Sequence, residues 1–205
     1  DVNTGAVLAC ATYPSYDLNT YYQNYEALSK DKSSPLWNRA LMSTYEPGST
    51  MKPAIAAAGL EEGVITETSK FYCSHIYRQF TDTTFKCLGS HGWIDVKNAL
   101  NQSCNIYFYE TGGLVCINRI DDYCTRFGLG QKTGVEINES SGVLAGIAYR
   151  EAHGGTWYPG DTVQAAIGQS DNLFTPIQLC SYVSTIANGG TRYRAHFVKS
   201  VKSSD

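Results

Sequence analysis

The run Glu46-Pro47-Gly48-Ser49-Thr50-Met51-Lys52-Pro53 places a serine and a lysine three residues apart at what reads as the start of a helix. Positions i and i+3 of a helix share one face, a turn apart. An alcohol is a weak nucleophile at neutral pH. A lysine can take its proton only as the free base, which requires burial or neighbouring groups that lower the lysine pKa. Backbone N–H groups without helical partners at a helix start are placed to hold developing oxyanion charge. Ser-x-x-Lys alone is common, and its competing account is a capping serine followed by a solvated lysine. The Pro-Gly break before it and Pro53 after it sharpen the signal. About fifty residues on, Ser103-Cys104-Asn105 offers a second polar wall. A serine can relay a proton there, and an asparagine can hold a substrate amide. The competing account is two helix-capping residues. Cys104, between them, reads as core. Together Ser49, Lys52, Ser103 and Asn105 describe acyl transfer without a histidine.

Other candidates are weaker. Lys132-Thr133-Gly134 looks like a further active-site triplet, but in this chemistry it belongs on a strand bordering the cleft. Here it follows the turn Gly128-Leu129-Gly130, so Lys132 reads as a solvated turn residue. The four histidines, His75, His91, His153 and His196, build no triad. Asp161 and Asp171 could line a cleft, yet no spacing recommends them as paired acid and base.

These side chains need elements to hold them. Residues 5–11 suit a strand leading into the Tyr13-Pro14-Ser15 turn. Residues 16–34 are polar and tyrosine-rich without firm periodicity, and 35–45 suit a short helix. Pro53 is tolerable only in a first turn, which puts Ser49 at the start of a helix over 49–62, with Gly63 as its stop. Residues 64–92 read as hairpins and loops. Asp95 is a good N-cap for a helix over 96–101. Helical spacing resumes at 106–111 and is expected to end at Gly112-Gly113. A helix over 114–127 follows. Residues 131–160 read as a glycine-rich connection with little helix, and Thr162–Ile167 leads to Gly168-Gln169. Thr175 and Pro176 fit the cap and first position of a last helix over 176–188. A strand is expected near 195–201.

The chain has 205 residues, 42% of them hydrophobic and only 17% charged. That suits one sizeable folded unit rather than disorder. A net charge of −3 without a Lys/Arg cluster gives no footprint for nucleic acid. No long apolar stretch is present, so this stretch is expected to be soluble. Its first strand has no partner before it and its end reads as a strand entering a turn, as in a piece excised from a larger domain. Seven cysteines argue against a fully paired framework. Cys73 and Cys87 flank one polar, aromatic loop and are the best disulfide candidates. With His75 and His91 they could also form a zinc set, but the spacing is unfamiliar, and loop packing with no metal or cofactor is the expectation.

In order, Thr4-Gly5-Ala6-Val7-Leu8-Ala9, Tyr13-Pro14-Ser15-Tyr16-Asp17, Glu46 to Pro53, His91-Gly92, Ser103-Cys104-Asn105, Pro159-Gly160-Asp161, Ala166-Ile167-Gly168-Gln169, Thr175 to Leu179 and Ile186 to Gly190 resemble the transpeptidase domain of class B penicillin-binding proteins, of the elongation or sporulation type. The resemblance covers essentially the whole chain. It implies a mixed α/β, serine β-lactamase-like fold, with a helical subdomain and an incomplete central antiparallel sheet, residues 1–205 forming part of one domain. It implies Ser49 as acylated nucleophile, its backbone N–H in the oxyanion hole, Lys52 as activator, Ser103 as relay and Asn105 as substrate-amide contact. Peptidoglycan stem peptides ending in D-Ala-D-Ala would be the donor, an amine on a neighbouring stem peptide the acceptor, and β-lactams the trapping mimics. Cell-wall synthesis proteins would be partners, and the parent would be anchored to the bacterial membrane with this domain outside the cytoplasm. The family's third motif would lie beyond residue 205. Gly168-Gln169-Ser170 departs from the usual Gly-Gln-Gly, and the serine is expected to alter a backbone angle there. A β-lactamase or β-lactam sensor, or a non-catalytic stem-peptide binding module, are the alternatives.

Overall fold

The computed structural model describes residues 1–203. Helices dominate: α1 Tyr21–Lys30, α2 Arg39–Met42, α3 Lys52–Glu61, α4 Val96–Asn101, α5 Asn105–Val115, α6 Ile117–Arg126, α7 Ile147–Ala152, α8 Pro159–Ala166 and α9 Pro176–Ala187. Between α3 and α4 lie β1 Lys70–Cys73, β2 Ile76–Tyr77, β3 Phe85–Lys86 and β4 Gly92–Asp95. They pair as two antiparallel ribbons, β1 with β4 (Cys73 opposite Gly92) and β2 with β3 (Ile76 opposite Lys86). The architecture is the mixed α/β one that the sequence implied.

The centre is α5, apolar almost all round, with Ile106, Tyr107, Phe108, Tyr109 and Val115 buried. It packs on α3, α8, α6 and β1. The expected stop at Gly112-Gly113 does not occur. A Cβ on Gly112 would lie 2.3 Å from the Ala166 Cβ. This glycine therefore lets α5 and α8 touch rather than ending the helix. The chain turns instead at Cys116, with φ +67°.

The capping signals hold. The Asp95 carboxylate accepts the Asn98 N–H at 2.9 Å, and Thr175 and Gln178 form a reciprocal capping box on α9, each satisfying N–H groups that a helix start leaves open. Gly63, at φ +67°, closes the turn after α3. Two helices escape the sequence reading. Helix α1 buries no residue and is held by Tyr16, Tyr21 and Tyr25 ring contacts and a Lys30–Glu26 pair at 2.6 Å. It therefore leaves no apolar stripe. Helix α7 lies within the expected connection. The two expected terminal strands reduce to one parallel bridge, Ala6 with His196, among the described residues, where the Val7 N–H donates to the His196 carbonyl at 2.9 Å. No helix among the described residues is long and apolar enough to cross a membrane.

Candidate active site

Gly48–Met51 is a tight 3-10 turn that runs into α3, with Pro53 in the first turn, as its missing N–H demands. Two contacts from the far side of the fold fix that turn. The Gly48 N–H donates to the Gly168 carbonyl at 2.9 Å, and the Tyr182 hydroxyl donates to the Thr50 carbonyl at 2.9 Å. Gly168 has φ +76°, and a Cβ there would sit 2.2 Å from the Gly48 oxygen. Only glycine allows that approach. Ser49 is thereby held exposed beside the buried start of α3, and no carbonyl among the described residues accepts its backbone N–H.

One turn on, Lys52 is 1% exposed. Its ammonium donates to the Ser103 carbonyl at 2.8 Å, the Ser103 Oγ at 2.9 Å and the Asn105 Oδ1 at 2.7 Å. All three partners are neutral, and the Phe108 ring lies 5.7 Å from Nζ. Burial disfavours the charged form. It dominates here and brings the Lys52 pKa down to about 8, against a smaller opposing pull from the Cys87 and Cys104 sulfurs. The Ser103 hydroxyl also donates to Ser49 Oγ at 2.8 Å. Ser49, Ser103 and Lys52 thus form a continuous chain along which a proton can pass.

The polar wall is set by the break between α4 and α5. Ser103 takes φ +52°. That angle is strained for a serine, and it swings both its carbonyl and its hydroxyl onto Lys52. Asn105 opens α5. Its Oδ1 faces Lys52 while its Nδ2 donates to the Lys86 carbonyl of β3 at 3.1 Å. A second amide hydrogen is left for a ligand. The structure brings Ser49, Lys52, Ser103 and Asn105 into one cluster. The backbone of Lys86, Gly168 and the Tyr182 hydroxyl belong to the same frame. Of these, only Gly168 carries a sequence signal.

Other candidates fall away. Thr133 and Gly134 aim their N–H groups at the Glu139 carboxylate, at 3.0 and 2.8 Å, so Lys132-Thr133-Gly134 is a turn closed on itself. Asp171 and Asp161 both pair with Arg150, at 2.6 and 3.3 Å, rather than with each other across a cleft. Ser170 does take the left-handed region, with φ +62°, and accepts from the Arg150 guanidinium at 3.1 Å.

The cysteines revise the expectation of loop packing without metal. All seven are free thiols. Cys73, Cys87, His91 and Cys104 converge with their donor atoms within 4.8 Å of one another. His75 is not in this set, and Cys104, read as core filler, is. The Cys73 and Cys87 sulfurs lie 3.4 and 3.6 Å from His91 Nδ1, and Cys87 and Cys104 sulfurs are 4.0 Å apart. A tetrahedral zinc with its usual bond lengths requires about 3.8 Å between sulfurs and about 3.5 Å from sulfur to nitrogen. Three thiols and an imidazole are a donor set of structural zinc sites, so the residues fit the ion. Burial raises the Cys87 thiol, but the N–H groups of Gly89, Asn105 and Ile106 outweigh it and the net direction is down.

A family profile for the penicillin binding protein transpeptidase domain matches residues 1–205. The chain belongs to the penicillin-binding protein transpeptidase family. It is 35% identical over 211 residues to the peptidoglycan D,D-transpeptidase MrdA of Salmonella typhimurium, covering 97% of this chain and 33% of that protein. The chain thus spans about a third of that relative's length. The PBP2 of Helicobacter pylori, in its complex with MreC, superposes with a TM-score of 0.91 at 29% identity, over 99% of this chain and 39% of that one. The imipenem acyl-enzyme of Mycobacterium tuberculosis penicillin-binding protein A superposes with a TM-score of 0.82 at 26% identity, over 97% and 47% of the two chains. For a penicillin-binding transpeptidase, a buried lysine with neutral partners beside an exposed serine is the arrangement that acyl transfer requires.

Proposed function

We propose that the protein carrying this chain is a serine D,D-transpeptidase that cross-links peptidoglycan, and that Ser49 is its nucleophile. The observation that supports this most is Lys52, which is buried, lacks a carboxylate partner and sits one hydroxyl away from Ser49. As the free base it draws the Ser49 proton through Ser103 Oγ, while the Ser49 oxygen attacks the carbonyl of the penultimate D-Ala. Negative charge grows on that carbonyl oxygen beside the unpaired Ser49 N–H. The tetrahedral species collapses, the relay returns the proton to the departing nitrogen, and D-Ala leaves. An amine of a second stem peptide then attacks the acyl-serine and the relay runs again. Asn105, pinned by Lys86 and Lys52, presents its remaining amide hydrogen to the donor peptide.

β-Lactams place a strained amide where the D-Ala-D-Ala bond would lie and would trap Ser49. The MreC complex of the H. pylori relative supports cell-wall synthesis proteins as partners, and the D,D-transpeptidase relatives support a membrane-anchored parent with this domain outside the cytoplasm. A β-lactamase would need a base for deacylating water. Asp161 and Asp171 are tied to Arg150 and do not supply one. The relay from Ser49 to Lys52 weighs against a module that only binds.

The test is intact-mass spectrometry of the full-length protein after exposure to a fluorescent penicillin, with peptide mapping. One adduct on Ser49, absent from Ser49→Ala, is the expected result. An unlabelled, folded wild type would overturn the acyl-transfer reading in favour of a binding role.

A further inference from the structure

The thiol cluster is not a remote structural feature, because two of its members border the active-site wall. Cys104 is the residue between Ser103 and Asn105. Cys87 accepts the backbone N–H of Asn105 at 3.3 Å, and it directly follows Lys86, whose carbonyl takes the Asn105 side-chain amide. Cys73 ends β1 and His91 precedes β4, so both ribbons and the start of α5 meet at these four side chains. The same short segment, residues 103–105, supplies all three acceptors that surround Lys52. A free thiol can rotate away from an N–H donor, since sulfur is a weak acceptor with an open rotor. A metal-bound thiolate cannot rotate in this way, and it carries the charge that makes it a firm acceptor.

Resting on the transpeptidase reading, we propose that Cys87 is a positioning residue of the acyl-transfer site. Its sulfur, fixed by a zinc ion shared with Cys73, His91 and Cys104, holds the Asn105 N–H and so sets the angle at which Ser103 and Asn105 grip Lys52. The ion itself takes no part in bond making. Zinc binding displaces the thiol protons to solvent, and the four donors close a tetrahedral site with no position open to substrate.

Two measurements on the full-length protein test this. The first loads it with cadmium-113 in place of zinc and reads scalar coupling from the metal to amide protons through N–H···S bonds. One bound ion per chain and coupling to the Asn105 amide proton are expected. No bound ion, or a bound ion without that coupling, would overturn the proposal. The second measures the acylation of Ser49 by a fluorescent penicillin, separating the rate at saturation from the apparent affinity. Cys87→Ala is expected to lower the saturated rate by about tenfold or more with little change in affinity. Cys87→Asp, which keeps both a metal ligand and an acceptor, is expected to restore most of it. Wild-type acylation by folded Cys87→Ala would refute the proposal; if that variant does not fold, Cys87→Ser takes its place under the same criterion. A wild type that couples cadmium to Asn105 but never labels refutes the transpeptidase reading instead, so the two failures are told apart.

Discussion

Lys52 and Arg150 are both cations drawn in from solvent, and they are handled in opposite ways. Arg150 lies between two carboxylates, Asp171 at 2.6 Å and Asp161 at 3.3 Å, with the Trp157 ring 5.4 Å from its guanidinium. The Asp171 hydrogen bond leads the causes that raise its pKa above the usual value, so the group is locked as a cation. Lys52 has no carboxylate, only a carbonyl, a hydroxyl and an amide oxygen, and burial brings it down to about 8. A buried cation with matched anions is scaffolding. One with neutral partners is poised to give up its proton, which a general base must do.

The largest expected effect comes from removing that poise. Lys52→Met should slow Ser49 acylation by about 10²–10⁴-fold. It should leave the fold at least as stable, because it replaces an uncompensated buried cation by an apolar chain of similar length. Saturation labelling and urea melts on the same samples check both halves; a variant that loses stability along with rate would mean that Lys52 is structural. In the wild type the labelling rate should climb about tenfold per pH unit below 8 and level off above it. The stability sign follows by linkage. The folded pKa of about 8 lies below the ordinary lysine value of 10.5. Between those values the unfolded chain binds the proton more tightly. Stability attributable to Lys52 therefore rises with pH across the window and is lost as pH falls through it to about 8. The stability gap between Lys52→Met and wild type should narrow from pH 7 to pH 10.

Next in size is Gly168→Ala, which tests the brace behind the nucleophile rather than the chemistry. The added Cβ would meet the Gly48 oxygen at 2.2 Å while the residue keeps φ +76°. Backbone strain alone should cost about 1–3 kcal/mol, and displacement of Gly48 should move Ser49 away from Ser103. Loss of labelling that exceeds loss of folded protein, read by circular dichroism, is the expected outcome. Equal losses would reduce Gly168 to a packing residue.

Arg150→Met tests the other half of the comparison. It leaves Asp161 and Asp171, each about a quarter exposed, without a counter-ion. The loss should cost about 1–3 kcal/mol. Its labelling rate below the melting transition should change far less than that of Lys52→Met. If the rate fell as far, Arg150 would belong to the chemistry.

The helix start at Ser49 and Lys52 was legible because Pro47, Gly48 and Pro53 constrain the backbone locally. The same holds for the caps at Asp95 and Thr175. Gly112 misled because glycine ends helices and also lets helices touch, and only the position of Ala166 distinguishes the two. Helix α1 was illegible because it buries nothing. The thiol set was half legible. Cys73, Cys87 and His91 share one loop region, but Cys104 comes from the next helix start and joins them only through the packing of α5. The Lys86 carbonyl carries no side-chain signature at all, so no sequence reading could have placed it beside Asn105.

The smallest effect separates strain from contact at Ser170. This residue stands at φ +62° with its hydroxyl 3.1 Å from the Arg150 guanidinium. A left-handed angle costs a residue with a Cβ about 1 kcal/mol, and a hydrogen bond to a charged group returns about as much. Ser170→Gly removes both and should leave stability within about 1 kcal/mol of wild type. Ser170→Ala keeps the angle and loses the contact, so it should be the less stable of the two variants by about 1 kcal/mol. Should the order invert, the angle would be free of strain and the serine would sit there for its backbone. Should both variants lose labelling as well as stability, the Arg150 cluster would reach Ser49 through Gly168 and Gly48, and the division between scaffolding cation and reacting cation would be one of degree.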